Sequence, residues 1–160
     1  MSQPLTSYAI SIMDIPPDFK DVLELFNAHH VEYIIVGAYA LAFHGVPRST
    51  GDIDLLVQPT EENATRILKA LEAFGFTFPN LTVADFQNPD SVVQLGVPPV
   101  RVDILPSLTG VSWEEADAGK ARDLYGGVEV CYLGRAEYVK NKRACGRKKD
   151  LADLEALGEE

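Results

Sequence analysis

The stretch Val36-Gly37-Ala38-Tyr39-Ala40-Leu41-Ala42-Phe43-His44-Gly45, with Arg48-Ser49-Thr50-Gly51-Asp52-Ile53-Asp54-Leu55-Leu56-Val57 just after it, decides how this chain is read. Tyr33-Ile34-Ile35-Val36 is β-branched and aromatic, which predicts a buried strand stopping at Gly37. Ala38 to Phe43 predict a short helix, closed by Gly45 and then Pro47. Ile53 to Val57 predict a second strand ended by Pro59. Alternate strand residues share a side, so Asp52 and Asp54 project together while Ile53 and Leu55 face a core. Two carboxylates that close repel by roughly 1–4 kcal/mol at surface-like dielectric. A divalent cation between them relieves the repulsion, and oxygen-only ligands suit Mg²⁺ better than zinc or copper. Composition alone also produces such pairs, with Asp52 opening a turn after Gly51 and Asp54 a solvated strand residue.

Two features outside the pair favour chemistry. In the strand-like run Val100-Arg101-Val102-Asp103-Ile104-Leu105, Asp103 lies between apolar neighbours, where an unpaired carboxylate is costly. A third carboxylate on an adjacent strand completes a site for two metal ions, which activate an attacking hydroxyl and stabilise a leaving pyrophosphate. Gly37, at the end of a strand and before a helix, lets a phosphate approach the backbone and meet free N–H groups.

Outward from this centre, Pro16-Pro17 open a helix whose core face is Phe19, Val22, Leu23 and Phe26, ending near His29-His30. The first fifteen residues show no period and read as a loosely held arm. Thr60 caps a helix with Glu61 and Glu62 in its first turn, a core face of Ile67, Leu68 and Leu71, and Gly75 as its stop. Val92–Val97 and Val100–Leu105 predict an antiparallel pair turning at Pro98-Pro99. Ser112-x-x-Glu115 is a capping box for a helix running toward Leu124, and Val128 to Leu133 form a last strand. From Ala136 the chain reads as helical, interrupted at Gly146, with Leu151, Leu154 and Leu157 at helical spacing. The expected class is α/β in composition and α+β in layout, with a mixed sheet of about five strands and packed helices in one domain over residues 1–160.

Composition narrows the function. The chain has 160 residues, 46% of them hydrophobic, and a net charge of −10, which argues against a general nucleic-acid-coating protein. Its two cysteines, Cys131 and Cys145, form no disulfide scaffold or Cys-rich zinc module and fit a reducing cytoplasm. No run approaches the ~20 apolar residues of a membrane span, and the amino terminus lacks a secretory pattern, so a cytoplasmic protein without a membrane partner is expected. There is no G-x-x-x-x-G-K-[ST] phosphate loop, no G-x-G-x-x-G dinucleotide turn and no G-x-S-x-G elbow.

The basic residues are uneven. Half of the fourteen lie between positions 135 and 149 beside a single acid, Glu137, so the C-terminal helical segment 135–160 opens with a net +6 while the rest of the chain sums to −16. Such a run is either a solvated helix face or a phosphate-binding one. Arg48 fits either a phosphate contact or a structural ion pair. His44 ends a short helix beside Gly45 and suits a capping role better than that of a base, and Trp113 reads as a packing anchor.

Gly37-Ala38, the short helix, Asp52-Ile53-Asp54 and the later Asp103 resemble the DNA polymerase β-like nucleotidyltransferase superfamily. The likeness is greatest to its small bacterial members, among them components of toxin–antitoxin and abortive-infection pairs, and it covers roughly residues 20 to 157. The resemblance implies that Asp52 and Asp54 bind two Mg²⁺ ions. It implies that Asp103 binds one of them and serves as, or positions, the base for an incoming hydroxyl. Gly37 and Ala38 would cradle phosphate, although Ala38 stands where the family usually has Gly or Ser and offers no hydroxyl. The Asn141-Lys142-Arg143 and Arg147-x-Lys149-Asp150 pattern resembles the end of these transferases and makes Lys142 the residue to reach a triphosphate, with Asp150 in a salt bridge. The implied reaction moves a nucleoside monophosphate from an NTP to a hydroxyl on a protein, an RNA end or a small molecule. The rival expectation is a transferase-like fold without catalysis, paired with the product of a neighbouring gene as one half of a toxin–antitoxin system.

Overall fold

A computed structural model describes residues 17–47, 51–75, 79–97 and 100–159. The arm over residues 1–15, Arg48 and the Pro98-Pro99 turn lie outside the described residues.

Helix α1 (Pro17–Ala28) buries Phe19, Val22, Leu23 and Phe26, the face its spacing predicts. His30, with φ of 59°, turns the chain into the first strand. The strands are β1 (Tyr33–Val36), β2 (Asp52–Val57), β3 (Val93–Val97), β4 (Val100–Leu105), β5 (Ala121–Tyr125) and β6 (Val128–Tyr132). They form one mixed sheet in the order β3-β4-β2-β1-β6-β5. β1 is antiparallel to β2 and parallel to β6, β2 is parallel to β4, and the two outer pairs are antiparallel. All four residues of β1 are buried, as befits a strand with neighbours on both sides.

Each sheet face has its own core. Ile53, Leu55, Val57 and Ile104 pack with α1 and with Ile67 and Leu71 of helix α3 (Glu61–Phe74). On the other face Ile34, Val36 and Leu56 pack with Leu41 of helix α2 (Gly37–Phe43). Tyr138 and Val139 of helix α5 (Arg135–Cys145) and Leu154 of helix α6 (Lys148–Ala156) complete that second core. A one-residue slip of β2 would drive Asp52 and Asp54 into the α1–α3 core, so the hydrophobic pattern fixes the register.

Local caps behave as their sequence requires. Thr60 accepts the Asn63 N–H at 3.2 Å, and Gly75 ends α3 in the left-handed region at φ of 104°. Ser112 and Glu115 form the expected capping box, with both bonds at 3.1 Å.

Three expectations are corrected. The helix that starts there, α4 (Trp113–Gly119), does not run toward Leu124. A Cβ at Gly119 would overlap Glu137 and one at Gly134 would overlap the Gly119 carbonyl, so two backbones meet closely where the helix stops. Lys120 is already extended, and 121–125 pair with β6 as a sixth strand rather than the five counted from sequence. Leu151, placed on the core stripe, is 51% exposed, and only Leu154 and Leu157 reach the core. Among the described residues no helix is long and apolar enough to cross a membrane.

Candidate functional site

The parallel β2–β4 ladder sets Asp54 opposite Asp103 and Asp52 opposite Arg101. Since residues two apart share a strand face, all four side chains rise from the same side of the sheet. The three aspartates singled out from sequence therefore come together, although Asp103 arrives from about fifty positions downstream.

Val36 is the register partner of Asp54 on β1, so the next residue, Gly37, passes the Asp54 carboxylate. Gly37 has φ of +69°, and a Cβ there would overlap Asp54 Oδ2. Glycine is thus required by the aspartate as well as by the turn from β1 into α2. Ala38 follows as the second residue of α2.

Arg101, which the sequence reading passed over, is the principal new member of the site. Its Nε donates to Asp103 Oδ1 at 2.8 Å, and its Nη2 donates to Asp103 Oδ2 at 3.1 Å and to Asp52 Oδ2 at 2.9 Å. A fork matching a carboxylate side-on is the geometry at which arginine binds best. The signal was present, because Arg101 and Asp103 are two apart in one strand. Its partner Asp52 is visible only once β2 and β4 are set in parallel register.

The Asp54 carboxyl is displaced from its ordinary range. Burial first, and then the negative charges of Asp103 and Asp52, push its carboxyl up to about 7, while Arg101 and Lys142 pull the other way. A carboxyl so displaced in a cluster of like charges is characteristic of functional sites.

The charge of Lys142, on α5, is felt weakly at Asp54. The Lys142 Nζ lies 3.3 Å from Asp150 Oδ1, 3.8 Å from Asp153 Oδ2 and 5.4 Å from the centroid of the Tyr138 ring. Asp150 is fully buried and also accepts from Arg147 Nε at 2.7 Å. The Arg147 hydrogen bond, followed by the contribution of Lys142, holds the Asp150 carboxyl down at about 2.

The basic segment is largely answered within the fold. Arg135 and Arg143 pair with Glu159, Lys140 with Glu115, Lys142 with Asp150 and Asp153, and Arg147 with Asp150. The charge island seen along the sequence is thus mostly a set of ion pairs in space. His44 caps α2 through its backbone N–H, which donates to the Ala40 and Leu41 carbonyls, while its ring Nε2 lies 2.7 Å from the Leu133 carbonyl oxygen; Trp113 packs against the second core.

Three carboxylates offer the hard oxygen donors that a magnesium ion takes. In kind they fit. In arrangement they are engaged, since Arg101 holds oxygens of Asp52 and Asp103. Among the described residues no three His, Cys, Asp or Glu side chains form a ready metal cage.

The sheet order and the helices on both faces define an α+β fold with one mixed six-stranded sheet. The crystal structure of a proposed nucleotidyltransferase from Thermotoga maritima superposes with a TM-score of 0.59 at 16% identity, covering 90% of this chain and 92% of that one. At that identity the likeness is one of fold. No family model matches the sequence, and no curated protein matches it.

Proposed function

We propose that this chain is a nucleotidyltransferase, moving a nucleoside monophosphate from an NTP to a hydroxyl acceptor and releasing pyrophosphate. The observation that carries the proposal is the meeting of Asp52, Asp54 and Asp103 on one sheet face, with Asp54 held near neutrality by burial and its neighbours. Asp52, Asp54 and Asp103 are the residues that would hold divalent ions. When bound there, such ions would supply Lewis acidity for the phosphoryl oxygens and lower the pKa of the attacking hydroxyl. Asp103, one strand further out, is assigned to orienting that hydroxyl. Gly37 and Ala38 would offer backbone to phosphate, and Lys142 a compact positive charge once a polyanion competes with Asp150 and Asp153. Arg48 is retained as a candidate phosphate contact.

Purified protein is incubated with each α-labelled NTP, Mg²⁺ and a cell lysate, and the labelled acceptor is identified as protein, RNA or small molecule. Asp52→Asn should abolish labelling while melting as a folded protein. Undiminished transfer by that variant removes the assignment.

A second reading has one observation in its favour. Arg101 already satisfies two of the three carboxylates, as expected of a transferase-like fold kept for binding, for example as half of a toxin–antitoxin pair. Thermal melting separates the two. A nucleotide bound at about 10 μM and present at 1 mM stabilises the fold by about 2.7 kcal/mol. No shift with any NTP and Mg²⁺ selects the binding protein.

A further inference from the structure

We propose that Arg101 is a latch on the carboxylate site, a resident counter-cation that a divalent metal ion must displace to reach Asp52 and Asp103. The proposal rests on the metal-site reading above and concerns how that site is controlled.

The latch is built into the sheet. Arg101 stands two residues before Asp103 on β4 and directly opposite Asp52 on β2. Its guanidinium needs no long reach, because both partners rise beside it from the same face. Three hydrogen bonds of 2.8, 2.9 and 3.1 Å tie one planar group to two carboxylates. The Asp103 side chain is only 11% exposed and that of Arg101 26%, so water screens this pair less than it would a surface pair. Asp103 gives both of its oxygens to Arg101, and Asp52 gives one.

A hard cation approaching the cluster therefore competes for the oxygens that the guanidinium holds. An ion that binds only the unlatched state has its apparent affinity reduced by the fraction of molecules unlatched. If the latch is open in one molecule in ten or fewer, its removal tightens binding at least tenfold. The freed guanidinium stays tethered on β4 beside the metal.

The test uses Mn²⁺ alone, titrated by EPR or calorimetry into the wild-type protein and into Arg101→Gln, Arg101→Lys and Asp52→Asn. The latch predicts at least tenfold tighter Mn²⁺ binding by Arg101→Gln. Arg101→Lys, which keeps the charge and loses the fork, should lie in between. An independent readout needs no variant that must fold. In ¹⁵N spectra of the wild type, the Arg101 Nε–H should exchange slowly and lose that protection as Mg²⁺ is added. Wild type and Arg101→Gln binding Mn²⁺ equally, both weakened by Asp52→Asn, would overturn the latch and leave the metal site standing. Absence of Mn²⁺ binding in every protein, or binding indifferent to Asp52→Asn, would overturn the metal site and the latch with it.

Discussion

Replacing Asp54 by asparagine should make the metal-free protein more stable, and increasingly so as the pH rises. Burial and the charges of Asp103 and Asp52 push the Asp54 carboxyl up to about 7, against 3.8 for an unperturbed aspartate. The unfolded chain gives up this proton from about pH 4, whereas the folded chain keeps it until about pH 7. Over that interval the unfolded state binds fewer protons, so stability falls with rising pH and levels off above it. Between pH 5 and 8 this single group removes about 2–3 kcal/mol. Asparagine has the same size and no charge, so Asp54→Asn escapes the loss. In a chain of this length 1 kcal/mol corresponds to about 2–4 °C, so the variant should gain roughly 4–12 °C on the wild type as pH goes from 5 to 8. Scanning calorimetry in EDTA at the two pH values measures it. An advantage that is the same at both, or a variant less stable at pH 8, would refute the electrostatics assigned to the site.

Three further outcomes follow from packing. Gly37→Ala meets both a positive φ and the Asp54 carboxylate, so urea unfolding should show a loss of about 1–3 kcal/mol, reduced when Asp54→Gly is added. Asp150→Ala leaves Lys142 only Asp153 and takes from the exposed Arg147 its partner, and should cost about 1–3 kcal/mol in chemical denaturation. Because that carboxyl is held down at about 2, its stabilisation is present above about pH 4 and lost as pH falls toward 2, so the acid-unfolding profile of Asp150→Ala should be flatter there. Asn63 accepts from the Glu32 N–H at 2.7 Å and donates to the Glu32 and Gln58 carbonyls at 3.0 and 2.9 Å, tying α3 to the ends of β1 and β2. Asn63→Ala removes these three bonds, leaving the Glu32 carbonyl only the Gln58 N–H, and should lower stability by about 2–4 kcal/mol.

What the sequence discloses depends on how local the cause is. Caps such as Thr60 and Ser112 with Glu115 are legible because donor and acceptor lie three residues apart. β1, β2 and β4 are legible because buried strands need apolar runs, and an aspartate in such a run stands out. β5 is not, since Arg122, Asp123 and Leu124 are exposed on a sheet edge and keep no alternation. Its pairing with β6, a tertiary contact, overrides the helical preference of Ala, Arg and Leu. Arg101 escaped for a related reason, because its partner Asp52 lies 49 positions away and meets it only through sheet register. The basic segment misleads in the opposite sense. Several acids that answer it, Glu115, Asp150, Asp153 and Glu159, lie outside positions 135–149, so counting along the chain leaves it uncompensated.

Under the proposed function, the carboxylate cluster also constrains how a nucleotide would arrive. Two residues beyond Asp103 and Asp54, the same sheet face carries Leu105 and Leu56, packed in an ordinary core. The three acids are therefore not what this face needs for stability, and Asp54 detracts from it at neutral pH. A triphosphate is a polyanion, and bringing it to three aspartates without a counter-cation sets like charges together at short range. Lys142, already shared between Asp150 and Asp153, offsets only part of that repulsion. Nucleotide and divalent ion should accordingly bind as a coupled pair, each raising the affinity of the other by the same factor. In melting experiments ATP with EDTA should leave the midpoint unmoved, Mg²⁺ alone should raise it slightly, and the two together should raise it by more than the sum. Asp52→Asn should abolish the excess. An equal shift by ATP in EDTA would mean that the nucleotide binds away from the aspartates.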